Sequence, residues 1–144
     1  MKKQINTRKK ISFSTVITTC LIAGAFTLLY SFTPVPQGPA WTAPSSADND
    51  KNPIAAEAGS IEAGKDVYKK KCFDCHGKKG KGDGPKSAEL DKAPKDFTKA
   101  DFQKQTDGAL NWKISEGKKP MPAFKHELSK DQRWQVINYI RTLK

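Results

Sequence analysis

Cys72-Phe73-Asp74-Cys75-His76 is the feature that most restricts what this chain can become. Two thiols two residues apart, with an imidazole directly after them, suit a zinc corner, a redox dithiol or a haem attachment site. The rest of the chain decides among them. A structural zinc site needs four ligands, commonly a second Cys or His pair at similar spacing. The third cysteine, Cys20, lies far away in an apolar block, and His126 is the only other histidine. A Cys-x-x-Cys redox dithiol usually opens a helix in a βαβ setting. Here the pair follows a helical pattern, and no segment alternates like a strand. C-x-x-C-H is the signature of c-type haem attachment. The thiols of Cys72 and Cys75 add across two vinyl groups as thioethers, and His76 is then held with a ring nitrogen on the iron. One covalently bound haem c is the expected cofactor.

The start of the chain supports that choice. The first ten residues, MKKQINTRKK, carry five Lys or Arg and no acid, and residues 11–32 then run without a charge. A basic start before an apolar run is an export signal or an N-terminal membrane anchor. The length of the run favours an uncleaved transmembrane anchor. A cleaved signal, leaving a soluble periplasmic protein, is the alternative. Either way residues 1–10 stay in the cytoplasm and the remainder is sent across the cytoplasmic membrane, where c-type haem is attached. Cys20 reads as an ordinary residue of the apolar run, since the preceding VITT lacks the small residue of a lipoprotein site. Residues 33–59 are rich in proline and small polar residues and read as a semi-extended flexible linker. Trp41 within it suits a membrane interface or an exposed linker position.

Residues 60–144 form the candidate domain, and they read as all-α. A core this small is marginal without a staple, which a covalent cofactor supplies. Ser60 is placed to cap a first helix, in which Ile61, Gly64, Tyr68 and Cys72 share a face. Asp107 is placed to cap a helix over GALNWKISEG that ends at Gly117, and a helical turn is expected near Ser87 to Leu90. Ser129-Lys130-Asp131-Gln132 has the form of a capping box opening the last helix. Val136, Ile137, Ile140 and Leu143 give that helix its apolar stripe.

The iron's second axial position needs a donor. Apart from the initiator, Met121 is the only methionine, and it stands between Pro120 and Pro122. Flanking prolines stiffen the loop and reduce the entropy lost in presenting a ligand. His/Met ligation raises the reduction potential relative to two histidines and suits electron transfer. His126, five residues further on, is the alternative donor, and otherwise reads as a surface residue leading to a capped helix. Gly82-Asp83-Gly84 reads as a tight turn, with too few carboxylates for calcium. Trp112 suits a place in the core, against the haem, or with its indole N–H on a haem propionate.

The stretches GKDVYKKKCFDCHGKKGKGDGP, APKDFT, TDGALNWKISEGKKPMPAF and RWQVINYIRTL resemble a class I cytochrome c, over nearly all of residues 60–144. The GDGP and PMPAF elements are similar to bacterial monohaem cytochromes and to the cytochrome subunits of terminal oxidases. The resemblance implies a small cytochrome c fold whose first and last helices cross through Gly64, Tyr68, Val136 and Tyr139. It implies thioethers at Cys72 and Cys75, with His76 and Met121 as axial ligands. It further implies that the Pro85 carbonyl accepts the second N–H of His76, since a metal-bound histidine normally donates that proton to an acceptor.

The domain carries 20 Lys or Arg against 12 Asp or Glu. Lys69, Lys70, Lys71, Lys78, Lys79, Lys81 and Lys86 crowd around the attachment motif. They form either a solvated face or a ring that steers an acidic redox partner to the haem edge. Export separates the domain from cytoplasmic DNA and RNA, so nucleic acid is not an expected partner. The expected function is single-electron transfer between respiratory partners, by an electron carrier that is not itself an enzyme. A fixed haem subunit of an oxidase or dehydrogenase, and a haem sensor or peroxidase with an open sixth site, are the alternatives.

Overall fold

The structure is a computed structural model and describes residues 41–144. The expectations for residues 1–10, for the apolar run 11–32 and for the first part of the linker lie outside the described residues. Trp41–Lys144 forms one compact unit. It contains a 3-10 turn at Ser45–Asn49, helix α1 at Ala58–Lys71 and the short helix α2 at Phe73–His76. A 3-10 turn at Ser87–Glu89, α3 at Ala100–Gln103, α4 at Asp107–Glu116 and α5 at Lys130–Ile140 follow. The described part is thus helical, as its sequence pattern requires. None of its helices is long and apolar enough to cross a membrane.

The crossing of α1 and α5 organises the unit. Gly64 is buried, and a Cβ there would fall on the backbone carbonyl of Gln135. The two helix backbones therefore touch, a closeness that only glycine permits. Tyr68 is 1% exposed and Val136 0% exposed, so the crossing is sealed on the side of the first core cluster. That cluster joins Val67, Tyr68, Phe97, Phe124, Leu128, Val136 and Ile140. A second one, of Leu110, Trp134 and Ile137, fills the space between α4 and α5.

The helix ends follow local chemistry. Ser129 opens α5 with a complete capping box: Gln132 N–H donates to Ser129 Oγ at 3.1 Å, and Ser129 N–H donates to Gln132 Oε1 at 2.9 Å. Gly117 ends α4 with a φ of 63°. Two caps differ from expectation, one by a single residue and one by three. Thr106, not Asp107, caps α4, because its Oγ1 reaches the Ala109 N–H at 3.0 Å. Asp107 becomes the first helical residue, where its charge suits the helix dipole. It holds Arg141 at 2.7 Å, tying the start of α4 to the end of α5. Helix α1 starts at Ala58, ahead of Ser60. The Ser60 hydroxyl instead donates to the carbonyls of Ala55 at 2.6 Å and Glu57 at 3.1 Å.

The described part of the expected linker is a strap. Residues 41–57 lie across α4 and α5, held by backbone and amide groups. Gly108 opens α4 to them, since a Cβ there would strike the Ala47 carbonyl. Asn138, only 4% exposed, donates to the carbonyls of Ile54 at 3.1 Å and Ala55 at 3.3 Å. Its Oδ1 accepts from Asn52 Nδ2 at 2.8 Å. Trp41 is half-buried, 6.5 Å from Trp112 ring centroid to centroid, and does not take the exposed linker position, one of its two expected ones. Proline and small polar residues signalled a linker. They are also what an extended strap requires when its carbonyls are met by specific amides.

Gly64→Ala is expected to lower stability by about 1–3 kcal/mol, through forced separation of α1 and α5. A fall in the denaturant midpoint of the purified domain checks it. Asn138→Ala leaves the Ile54 carbonyl without a partner and loosens Ala55 and Asn52, which keep their bonds to Ser60 and to the Trp134 carbonyl. The expected cost is about 1–3 kcal/mol, with faster tryptic cleavage after the exposed Lys51. Unchanged cleavage would show that the strap is held by its apolar contacts alone.

Candidate functional site

The attachment motif sits at the end of α1. Cys72 closes that helix, its N–H donating to the Tyr68 carbonyl at 2.9 Å. Cys75 and His76 then lie in the single turn of α2. A loop zips onto this turn through its backbone. Gly82 N–H donates to the His76 carbonyl at 3.0 Å, Gly84 N–H to that of Cys75 at 3.2 Å, and Lys86 N–H to that of Asp74 at 2.8 Å. Glycine is required at position 84, because a Cβ would press on the carbonyls of Phe73 and Asp74. From below, the buried Tyr68 donates its Oη proton to the Gly77 carbonyl at 2.8 Å. Burial raises the Tyr68 pKa, which keeps the phenol a donor.

His76 is fixed on two sides. Its ring stacks on Phe97 at 4.2 Å and 26°. Its Nδ1 lies 3.4 Å from the Lys95 carbonyl. Pro85, to which the resemblance assigned that contact, is exposed and makes no hydrogen bond with His76 among the described residues. The reason is the folding of the following loop: Phe97 N–H donates to the Gly80 carbonyl at 2.6 Å. That bond brings Lys95 and Phe97 together against the ring, while Pro85 turns outward.

Met121 arrives from the opposite end of the chain. A tight turn holds it, with Lys118 N–H donating to the Met121 carbonyl at 3.0 Å and Met121 N–H returning to Lys118 at 2.9 Å. Phe124 N–H donates to the Ile114 carbonyl at 3.0 Å, which clamps the loop to α4. Met121, Cys72, Phe73 and Ile114 all pack on the cluster that contains Tyr68 and Phe97. The thioether of Met121, the Cys72 thiol and, through Phe97, the His76 imidazole thus converge on one apolar cluster.

The electrostatics suit uncharged donors. Burial lowers the His76 pKa to about 4, so the ring is neutral and able to ligate at neutral pH. Burial first and Cys75 second push Cys72 up to about 12, so it stays a thiol. The Cys72 thiol, a neutral imidazole and a thioether about one apolar cluster, with the Cys75 thiol three residues on in the same turn, fit an iron porphyrin held through its vinyl groups. They do not make a zinc site, and no group of three or more potential metal-binding side chains of His, Cys, Asp and Glu exists among the described residues. His126 is exposed and away from this cluster. Trp112 is half-buried against Trp41, in neither core cluster. Sequence reasoning did not single out Phe97 or Lys95. APKDFT signalled them only as a stretch, because a backbone carbonyl has no side-chain signature.

Removing the Tyr68 hydroxyl isolates the role of its hydrogen bond. Tyr68→Phe leaves the buried Gly77 carbonyl with only the longer bond from the Gly80 N–H, at 3.3 Å, at an expected cost of about 0.5–1.5 kcal/mol. Chemical denaturation read separately at haem and at tryptophan wavelengths checks it. A midpoint unchanged in both would show that the Gly77 carbonyl finds another donor.

Residues 59–140, more than half of the chain, match the family described as cytochrome C oxidase, cbb3-type, subunit III. A chain of the Kuenenia stuttgartiensis reducing HAO-like protein complex is 26% identical, with a TM-score of 0.59. That alignment covers 92% of this chain and 61% of the other, so this chain spans less than two thirds of that relative. No curated protein matches. The family match, which takes in the attachment motif, the Met121 loop and the crossing helices, places this chain in the cbb3-type cytochrome c oxidase subunit III family, a class I c-type cytochrome domain.

Proposed function

We propose that the chain is a monohaem electron carrier in which Cys72 and Cys75 hold the haem as thioethers and His76 and Met121 are the axial ligands. Family membership implies a covalently bound haem c and haem-based electron transfer. The observation that supports the finer reading is the convergence of Cys72, His76 and Met121 on one apolar cluster. When bound, the haem supplies a one-electron Fe(III)/Fe(II) couple. The chain's own residues do the rest. The Lys95 carbonyl and Phe97 orient the His76 ring. The Lys118–Met121 turn and the Phe124 clamp hold the thioether with little freedom to leave. A held sixth ligand blocks substrate and oxygen, which argues for a carrier over a sensor or peroxidase.

On the same reading, residues 11–32 send the domain to the extracytoplasmic side as an anchor or cleaved signal. The exposed Lys78, Lys79 and Lys81, directly after His76, face an acidic redox partner. A fixed subunit within a redox complex is the second reading. The observation favouring it is that the similar Kuenenia stuttgartiensis chain belongs to a protein complex. Copurification of a second haem or flavin protein after mild detergent extraction separates the two readings.

The intact mass of the mature protein is expected to carry one haem. Met121→His is expected to lower the midpoint potential, since methionine ligation raises it relative to bis-histidine. Met121→Ala is expected to lose the weak red charge-transfer band of the ferric state and to bind CO when reduced. A wild-type protein that binds CO as readily as that variant would sink the His/Met assignment.

A further inference from the structure

Two lysines are half-buried among the described residues, Lys65 and Lys113. Lys65 is neutralised by Glu62 at 3.0 Å. Lys113 meets no carboxylate within ion-pair distance among the described residues. Its ammonium donates to Gln105 Oε1 and lies 5.7 Å from the centroid of the Trp41 ring. Burial, with the Lys95 ammonium adding to it, lowers its pKa, and Asp48 offsets this only in part. A partly desolvated cation with only neutral partners is unfavourable unless an anion completes the site.

The position of this cation says which anion. Lys113 precedes Ile114, which packs on the cluster shared by Cys72 and Met121 and whose carbonyl clamps the Met121 loop. Gln105 leads to the other wall. Its Nε2 donates to the Phe102 carbonyl at 3.3 Å, Phe102 lies 4.5 Å from Phe97, and Phe97 stacks on His76. The Lys113–Gln105 contact therefore joins the His76 wall to the Met121 wall. Trp41, brought there by the strap, covers it. A haem between these walls carries two propionate carboxylates at one edge.

We propose that Lys113, steadied by Gln105 and covered by Trp41, is the cation that pairs with a haem propionate. This rests on the haem reading above and adds a role for the strap, which excludes water from the ion pair. The pair also tunes the iron. A carboxylate left without its cation favours the ferric state, so Lys113 holds the midpoint potential up.

The test uses the full haem-loaded chain. The ammonium of Lys113 is followed by NMR in protein labelled with 15N-lysine, in the ferric and ferrous states, and assigned by its absence in Lys113→Arg. Its signal is expected to shift between the two oxidation states, because it lies near the paramagnetic iron. Lys113→Met is expected to lower the midpoint potential, while Lys113→Arg and the exposed control Lys130→Met stay near wild type. If Lys113→Met fails to load haem, the wild-type NMR measurement decides alone. A haem-loaded wild type whose Lys113 signal is the same in both states overturns the proposal. So does a potential in Lys113→Met equal to that of Lys130→Met. Wild-type protein without covalent haem overturns this proposal together with the haem reading on which it rests.

Discussion

The contact between Gly64 and the Gln135 carbonyl is the constraint on which the other parts depend. It fixes the distance between α1 and α5 at backbone contact. That distance sets where α1 ends, and Cys72 is at its end. The same contact positions the two faces of α5. Val136 and Ile140 turn to the cluster that meets Cys72 and Met121, and Trp134 and Ile137 turn to α4. One helix thus serves two small cores, neither of which is large enough alone. Domains of this size gain most from a covalent staple. The attachment turn lies directly after the crossing, where, on the proposed ligation, such a staple would join α1 to the Met121 loop.

Much of the site was legible because its chemistry is local. Cys72, Cys75 and His76 are contiguous and need no fold to be recognised. Met121 could be singled out by elimination and by its flanking prolines. The capping box at Ser129 and the glycine stop at Gly117 were readable for the same reason, since each involves residues three or four apart. What escaped was non-local or carried by the main chain. The acceptor facing His76 is the Lys95 carbonyl, and any residue at that position offers the same oxygen. Pro85 was the assignment of the family resemblance, and the hydrogen bond from Phe97 to Gly80 moves a different loop into place. The cap of α4 fell one residue early because Thr106 and Asp107 are both good caps. Only the observed geometry says which oxygen meets the Ala109 N–H.

The strap was illegible for a different reason. Periodicity finds segments that bury an apolar stripe, and residues 41–57 bury very little of one. They are held by Asn52, Asn138 and Ser60, polar residues that satisfy the carbonyls of an extended chain. A single Asn on α5 is ordinary in sequence and decisive here, since its amide meets two carbonyls from a segment more than eighty residues away. Of the linker expected over residues 33–59, residues 41–57 thus form a packed strap, and residues 33–40 lie outside the described residues.

The lysines divide by the same logic of partners. Of the seven around the attachment turn, Lys69 pairs with Asp66 at 3.5 Å, Lys71 with Glu127 at 2.8 Å and Lys86 with Asp74 at 2.7 Å. Such exposed pairs add little stability, but each cancels much of its own field. Lys70, Lys78, Lys79 and Lys81 keep theirs among the described residues. The uncompensated charge is concentrated in the loop just after His76, not spread evenly as the sequence suggests. At physiological salt its field extends about 8 Å, enough to orient a partner at contact but not to draw it from afar. Lys113 obeys the opposite rule. Half-buried and screened little by salt, it interacts with whatever anion completes the site, at any ionic strength. On the proposed reading the surface lysines govern encounter, and the half-buried one governs the cofactor's electronics. Salt separates the two effects, because it weakens the first and leaves the second largely intact.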